Sequence, residues 1–407
     1  MKLTTRCGST AVDGLNEALL AKAVEAKLLR CTRVRVDTTV VPANVAYPTD
    51  SGLLAKAVEA KVVRTAKIRV DTTVIPANVA YPTDSGLLAK AINRIAATGR
   101  RIQAAGGAVR TKLRDRSRAA GKRAHDLNAK LRTRNAAAKD EALAVVRRKN
   151  AELAKLAETT AEEAERLLAN AKRAIRKARV DAARRKAEGR PDPAAGRRRG
   201  RLVRAVNDLT ELLDATRRIA AQTRQRLAGS TPDGATRRVS LHDPDARPIA
   251  KGRLGRPVEF GAKAQVCDNV DGIVLDHDVQ PGNPADAPRL KPAVERVIKR
   301  TKRKPRTVAA DRGYGEAAVD DDLADLGIRN VVIPRKGRPT KARQAHERGR
   351  SFRQNVKWRT GCEGRISHLK RSYGWDRTMI DTTEGARTWT GHGVFAHNLT
   401  KIATLTA

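Results

Sequence analysis

Aromatic side chains make up only 2% of the 407 residues, and that scarcity constrains both core and binding. Phe, Tyr and Trp are the bulkiest core fillers and the usual platforms for stacked bases. This chain must therefore build its core from aliphatics and alanine and hold any polyanion mainly by charge. Cysteine is nearly as sparse. Cys7, Cys31, Cys267 and Cys362 lie far apart, without a CxxC or a Cys/His cluster, which argues against structural zinc and a disulfide scaffold. Cys362 adjoins Glu363 but has no identifiable base, so a small buried thiol is its simpler reading. The seven histidines contain no HExxH pair, and RGYG (Arg312 to Gly315) lacks the length and the Lys-Ser/Thr of a phosphate loop. No apolar run approaches the ~20 residues of a spanning helix, and MKLTTRCGSTAVDG lacks a signal peptide's apolar segment.

Acid is short relative to base. Lys and Arg number 84 against 44 Asp and Glu, a net charge of +40. Such a charge repels itself unless a polyanion is near, so nucleic acid is the economical partner and an anionic membrane surface the other candidate. The expected compartment is the cytosol. With 40% hydrophobic residues, the chain can hold two or three domains with a real core.

The N-terminal region contains a direct repeat. LLAKAVEAKLLRCTRVRVDTTVVPANVAYPTDSG (residues 19–52) recurs as LLAKAVEAKVVRTAKIRVDTTVIPANVAYPTDSG (residues 53–86), and LLAKAI begins a third copy at Leu87. Each unit is a helix, a β-rich run and a Pro-containing turn, not the two helices of a solenoid repeat. The copies differ by swaps such as Leu28/Val62 and Val41/Ile75, as a segmental duplication would. RVDTTVV and RVDTTVI read as buried strands ended by Pro42 or Pro76. A single sheet has room for one such central strand, so either Asp37 or Asp71 would stand on it. Copy two runs directly into the downstream chain, which favours Asp71.

From about Asn93 to Gly229 the composition is helical, rich in Ala, Arg, Lys, Glu and Leu. Leu202, Val206, Leu209 and Leu213 form one apolar stripe. GRPDPAAGRRRGR (residues 189–201) is expected to be a turn or linker. RAIRKAR (residues 173–179) can lie along a phosphate backbone or be a solvated face. After Gly229 the texture becomes α/β. VEFGAKAQVCD and GIVLDHDV should form a hairpin joined at NVDG. DAPRLKPAVERVIKRT is expected to be a helix, TVAAD a strand, GEAAVDDDLADLG a helix and NVVIP a short strand. KGRPTKARQAHERGR (residues 336–350) reads as a basic connector. The chain thus divides into 1–92, with the duplicated strand unit, 93–229, a basic helical region, and 230–407, the larger α/β part.

Three acids stand out. Asp71 is surrounded by β-branched residues, Asp311 ends an apolar run before a glycine turn in TVAADRGYG, and Glu363 sits in WRTGCEGRISHLK. Helical geometry puts Arg359 a turn before Glu363 and Lys370 two turns after it on one face. Carboxylates on a strand, a strand end and a helix are what a two-metal phosphoryl-transfer site requires. Asp243, Asp245, Asp268, Asp276 and Asp278 compete, but alternation and turn chemistry explain them more cheaply. Asp320 to Asp322 read as an exposed helix face, His368 as a surface residue, and Trp375 and Trp389 as core.

These segments resemble the DDE transposases of bacterial insertion sequences. Arg359, Glu363 and Lys370 match that family's third-acid signature, with Val356 in its tyrosine slot. DTT after a β-run looks like the first-acid motif, ADRGYG like the second, and GVFAHNLTKIA like the closing helix. The resemblance covers roughly Leu15 to Ile92 and Arg237 to Leu405. It implies an RNase H-like mixed sheet with the basic helical region inserted between the first and second strands. It further implies Asp71, Asp311 and Glu363 as catalytic ligands of two Mg2+ ions, with Asp37 the alternative first acid and Mn2+ an acceptable substitute. Arg359, Arg365 and Lys370 would touch phosphates, while Tyr314 would either stack on a base or pack against its strand. DNA, at element ends and target, would be the partner of a bacterial, nucleoid-associated homo-oligomer that binds no membrane. Only the short stretch before Asp37 precedes the first acid, and no helix-turn-helix is seen there. A catalytically defective copy and a non-enzymatic basic DNA-binding protein are the alternatives.

Overall fold

The strand that organises the molecule is KIRVDTTVIP, β1 (Lys67–Pro76), where β-branched residues favour extension and a terminal proline cannot extend the ladder. A computed structural model describes residues 50–131, 139–190, 192–253 and 256–406, all within one unit, Thr49–Ala407. Asp37 and the rest of residues 1–49 lie outside the described residues.

β1 is central, and its alternate side chains are buried on both faces. On one side it pairs antiparallel with β3 (Arg256–Asn269), from Ile68 opposite Asn269 to Pro76 opposite Gly261. On the other it pairs parallel with β5 (Thr307–Ala310), from Lys67 opposite Thr307 to Val70 opposite Ala310. β4 (Val274–Pro281) lies antiparallel to β3, and β6 (Asn330–Val332) parallel to β5. The turn joining β3 to β4 is closed by Asn269 Oδ1, which accepts from the amides of Asp271 and Ile273 at 3.0 and 2.8 Å. A further strand, β2 (Arg247–Arg253), pairs with the beginning of β3. The sequence did not announce it, because RPIAKGR alternates poorly and carries three bases.

Helices cover both faces of this mixed sheet. Ile68, Val70, Cys267, Val308 and Ala310 pack with α1 (Asp50–Glu59) and with Leu290, Val294 and Val297 of a helix after β4. Ile75, Ala264 and Val266 face the opposite way, against Ile366, Leu369, Trp375 and Val394.

Between β1 and β2 the described residues form four helices: α2 (Asp84–Ala104), α3 (Ser117–Leu131), α4 (Lys139–Ala187) and α5 (Pro193–Leu227). Ile95 and Ile102 meet an alanine-rich stripe on α4, Ala161, Ala164 and Ala171, whose small side chains let the helices approach closely. Leu202, Val206, Leu209 and Leu213 close the same core from α5. The expected linker over residues 189–201 is mostly helical. Asp192 caps α5 by accepting from the Ala195 amide at 2.9 Å, and Pro193 takes the first helical position, where its missing N–H costs nothing.

The remaining helices are α6 (Leu290–Thr301), α7 (Ala317–Asp325), α8 (Lys341–Arg348), α9 (Arg350–Arg359), α10 (Gly361–Ser372) and α11 (Thr382–Thr406). α8 replaces the expected connector. Thr340 caps it, Arg343 anchors it to Asp320 and the Ile333 carbonyl, and an i,i+4 pair joins Arg343 to Glu347 within it. That pairing also removes the expectation that Asp320 belongs to an open acidic face. No described helix is long and apolar enough to cross a membrane.

Candidate active site

The site is built on the end of the sheet where β1 and β5 run parallel. Val70 lies beside Ala310, so Asp71 on β1 and Asp311, just past the end of β5, come next at the same end of the sheet, near enough for the Asp311 charge to act on Asp71. Asp71 Oδ1 accepts from the Thr72 amide at 2.8 Å and Oδ2 from Arg359 Nη1 at 3.0 Å. Asp311 caps a short 3-10 turn, Arg312–Tyr314, by accepting from the Gly313 amide at 2.9 Å. A Cβ on Gly313 would stand 2.9 Å from Asp311 Oδ1 and 3.3 Å from Asp286 Oδ2, so a larger residue here would push against both carboxylates.

Glu363 comes from above. It stands in the first turn of α10, where an acid is favoured by the helix dipole. Its Oε1 accepts from Arg359 Nη2 at 3.1 Å. One guanidinium thus joins the carboxylate of the strand to that of the helix. Asp71 and Arg359 are largely buried, with side-chain exposures of 10% and 13%, whereas Glu363 is 64% exposed.

The sequence suggested one continuous helix through this motif, but the structure breaks it at Thr360, between α9 and α10. The interruption covers one residue, Thr360, whose dihedrals stay helical, and a side chain of β1 meets it. Arg69 Nη1 donates to the Trp358 carbonyl at 2.9 Å, the group a continuous helix would offer to residue 362. Its guanidinium lies 5.0 Å from the Trp358 ring centre. A Cβ on Gly361 would come within 2.3 Å of Arg69 Nη1, so only glycine admits this approach. Arg69 is in turn held by Asp268 through two bonds of 2.6 and 2.7 Å. The Arg359–Glu363 ion pair survives the break.

Electrostatics set this end of the sheet apart. Burial pushes the Asp71 carboxyl up to about 6, with Asp311 and Glu363 adding to the rise while the Thr72 amide and Arg359 oppose it. Burial raises Asp311 as well, and the next cause is Asp286, countered by Arg359, the Gly313 amide and Lys263. Burial, more than the neighbouring charges, is thus what disfavours ionisation of these two carboxyls. Among the described residues no three His, Cys, Asp or Glu side chains form a ready metal cage. Mg2+ commonly takes only one or two protein carboxylates and completes its shell with water and substrate phosphate. Two carboxylates already sharing one cation, beside a third of raised pKa, fit that mode of binding.

Other expected residues have different places. Lys370, in the last turn of α10, is seven residues from Glu363 and half-buried. Arg365 is turned inward, 3.6 Å from the buried Asp268 carboxylate, and so is committed to the fold instead of a phosphate. Tyr314 is fully buried and accepts from Gln265 Nε2 at 3.0 Å, which gives it a packing role and hides its ring from any base. His368 packs against the rings of Tyr373 and His397. Val356, in the tyrosine slot, packs with Ala309, Val332 and Phe352.

The competing acids are structural. Asp268 answers Arg69, and Asp276 answers Arg296 and Arg300 at 2.8 Å each. Asp243 accepts from the amides of Asp245 and Ala246 in a turn. Asp286 escaped the sequence reading. It lies in the loop between β4 and α6, paired with Lys263 at 2.7 Å. Nothing in NPADAPR marks it; only the strand order brings that loop to the end of β5.

Residues 230–399 match the family model of the transposase DDE domain. No curated protein and no solved structure matches the chain. Asp311, Glu363, Arg359 and Lys370 fall inside the matched residues, and Asp71 precedes them.

Proposed function

We propose, starting from the match of residues 230–399 to the transposase DDE domain family, that this chain is the DNA transposase of an insertion sequence. It cleaves at the ends of its element and joins the freed 3′ ends to target DNA. The catalytic acids are Asp71, Asp311 and Glu363. We read the strand order as an RNase H-like sheet, with residues 93–229 a basic helical insertion after the first strand and residues 230–407 the main part of the catalytic domain.

The observation that carries the reading is the Arg359 guanidinium spanning Asp71 and Glu363 while Asp311 stands near enough for its charge to act on Asp71. Three carboxylates from distant parts of the chain are thereby concentrated at one sheet end. Two divalent ions, Mg2+ or Mn2+, would supply an activated water or 3′-hydroxyl and stabilise charge on the leaving oxygen. Asp71 and Asp311 would hold them from the rigid strands, and Glu363 would complete a shell from the helix. Rigid strands suit this task because a displacement of ~1 Å in a reacting pair is costly. Arg359 has two roles in turn: it pairs with the acids in the free protein, and it is the nearest cation for a scissile phosphate. Lys370 would bind a phosphate about two turns along α10, ~10 Å away. The substrate would be met in the bacterial cytoplasm, at the nucleoid, by a homo-oligomer assembled on DNA.

A second reading is a catalytically defective copy, favoured by the duplicated strand unit in residues 19–86. One experiment separates the two. Purified chain is incubated with DNA carrying the terminal repeats of its encoding element in Mg2+ or Mn2+. Nicking at the repeat ends that is lost in Asp311→Ala, with DNA binding retained, supports the transposase. Salt-sensitive binding without cleavage in either metal leaves the defective copy or a non-enzymatic DNA-binding protein.

A further inference from the structure

The tip of the α4–α5 hairpin takes no part in the site described above. Ala171 on α4 and Leu202 on α5 are the last buried residues facing the hairpin core, and among the described residues between them none is buried. From Ala171 to the end of α4 at Ala187 the helix runs on for ~25 Å, and the first turns of α5 return beside it. Ala174 and Ile175 still pack on the edge of that core, and beyond them the arm has no hydrophobic core of its own.

Its charge is as unusual as its exposure. Residues 172–201 contain thirteen Lys and Arg and three acids, a surplus of ten out of the whole chain's +40. Two of those acids are used locally, Glu188 with Arg184 at 3.7 Å and Asp192 with Arg185 at 3.1 Å. Arg173, Arg176 and Lys177 crowd one helix at spacings of three and four, where like charges destabilise. An extended helical pair with no core and this self-repulsion is stabilised by a polyanion lying along it.

We infer that residues 172–201 form a DNA-backbone-binding arm that grips duplex DNA outside the cleavage site without reading its sequence. The chemistry points to phosphate. The segment contains no Asn, Gln, Ser, Thr, His or aromatic residue, so apart from its own charged side chains it lacks the groups that read base edges or stack on bases. A lipid surface fits poorly, because an interfacial helix needs a broad apolar face and Ile175 and Val180 do not make one. The inference takes only the identity of the polyanion from the transposase reading. It is tested by binding, not by cleavage, so the two fail separately.

The test compares the full chain with a variant carrying Arg176→Gln, Arg179→Gln, Arg197→Gln, Arg198→Gln and Arg201→Gln. Affinity is measured by fluorescence anisotropy across a salt series, on a duplex containing an element end and on a scrambled duplex of equal length. Each lost phosphate contact removes about 0.9 from the slope of log affinity against log salt. With all five arginines on phosphates, the steepness of the slope should fall by about 4.5, and affinity at ~0.1 M salt by at least tenfold, equally on both duplexes. The helical content by circular dichroism should be unchanged. An unchanged slope overturns the inference, as does a loss confined to the element-end duplex. If polyglutamate displaces the wild-type chain from DNA as well as competitor DNA does, the arm is a site for acidic protein and the inference is likewise wrong.

Discussion

The sheet and the helical region handle charge in opposite ways. In the sheet, Asp268 and Asp276 are fully buried, and each is answered by arginines: Asp268 by the bidentate Arg69, with Arg365 nearby, and Asp276 by Arg296 and Arg300. In the helical region most pairs lie at the surface, among them Arg100–Asp115, Arg184–Glu188 and Arg218–Asp214. A buried pair fixes geometry, because removing one partner strands a charge in a low dielectric. A surface pair fixes little, because water replaces either partner. The region that must hold three carboxylates in register is built with the first kind. The region we assign to gripping a polyanion keeps its charges at the surface, where a phosphate can take them.

The comparison is broken or sharpened most strongly at Arg69. Arg69→Ala strands Asp268 and frees the Trp358 carbonyl, and it should cost about 3–5 kcal/mol in denaturant unfolding. A loss below about 1 kcal/mol would mean that the pair sets no geometry. Next comes Leu209→Ala in the helical core, which leaves a cavity among α2, α4 and α5 and should cost about 2–4 kcal/mol. This change tests whether the helical region relies on apolar packing while its charges stay superficial.

Asp71→Asn should act in the other direction. Its folded pKa of about 6 lies above the unfolded 3.8, so ionised Asp71 destabilises the fold. That cost is absent below pH ~4, grows between pH ~4 and ~6, and is complete above that at about 3 kcal/mol at most. The variant should therefore melt higher than wild type at pH 8 and equally at pH 3.5, while losing cleavage. Equal melting at both pH values would mean that Arg359 fully compensates the carboxylate. Arg100→Ala should be the smallest change, within about 0.5 kcal/mol. A loss as large as that of Arg69→Ala would erase the distinction between the two regions.

Much of this was legible in the sequence, for identifiable reasons. TVAA and NVV are short apolar runs bounded by turn residues, and both are strands. Leu202 to Leu213 follows helical spacing, and the stripe is buried. The i,i+4 relation of Arg359 to Glu363 shows as an ion pair. What stayed hidden depends on tertiary partners. At the interruption by Thr360 the Trp358 carbonyl accepts from Arg69, about 290 residues away in the chain. Arg365 points inward because Asp268 is there. Asp286 joins the site through strand order alone. The start of α5 was a missed local signal, since Asp192 followed by Pro193 is a helix-start pattern that the surrounding arginines and glycines obscured.

The central claim is that Asp71, Asp311 and Glu363 meet to hold divalent ions. It is tested most directly by titrating Mn2+, followed by electron paramagnetic resonance, into the chain bound to terminal-repeat DNA. The account predicts bound Mn2+ in the wild-type complex and at least tenfold weaker binding in each of Asp71→Asn, Asp311→Asn and Glu363→Gln. Mn2+ binding that is unchanged across the three variants, or absent from the wild-type complex, would contradict it.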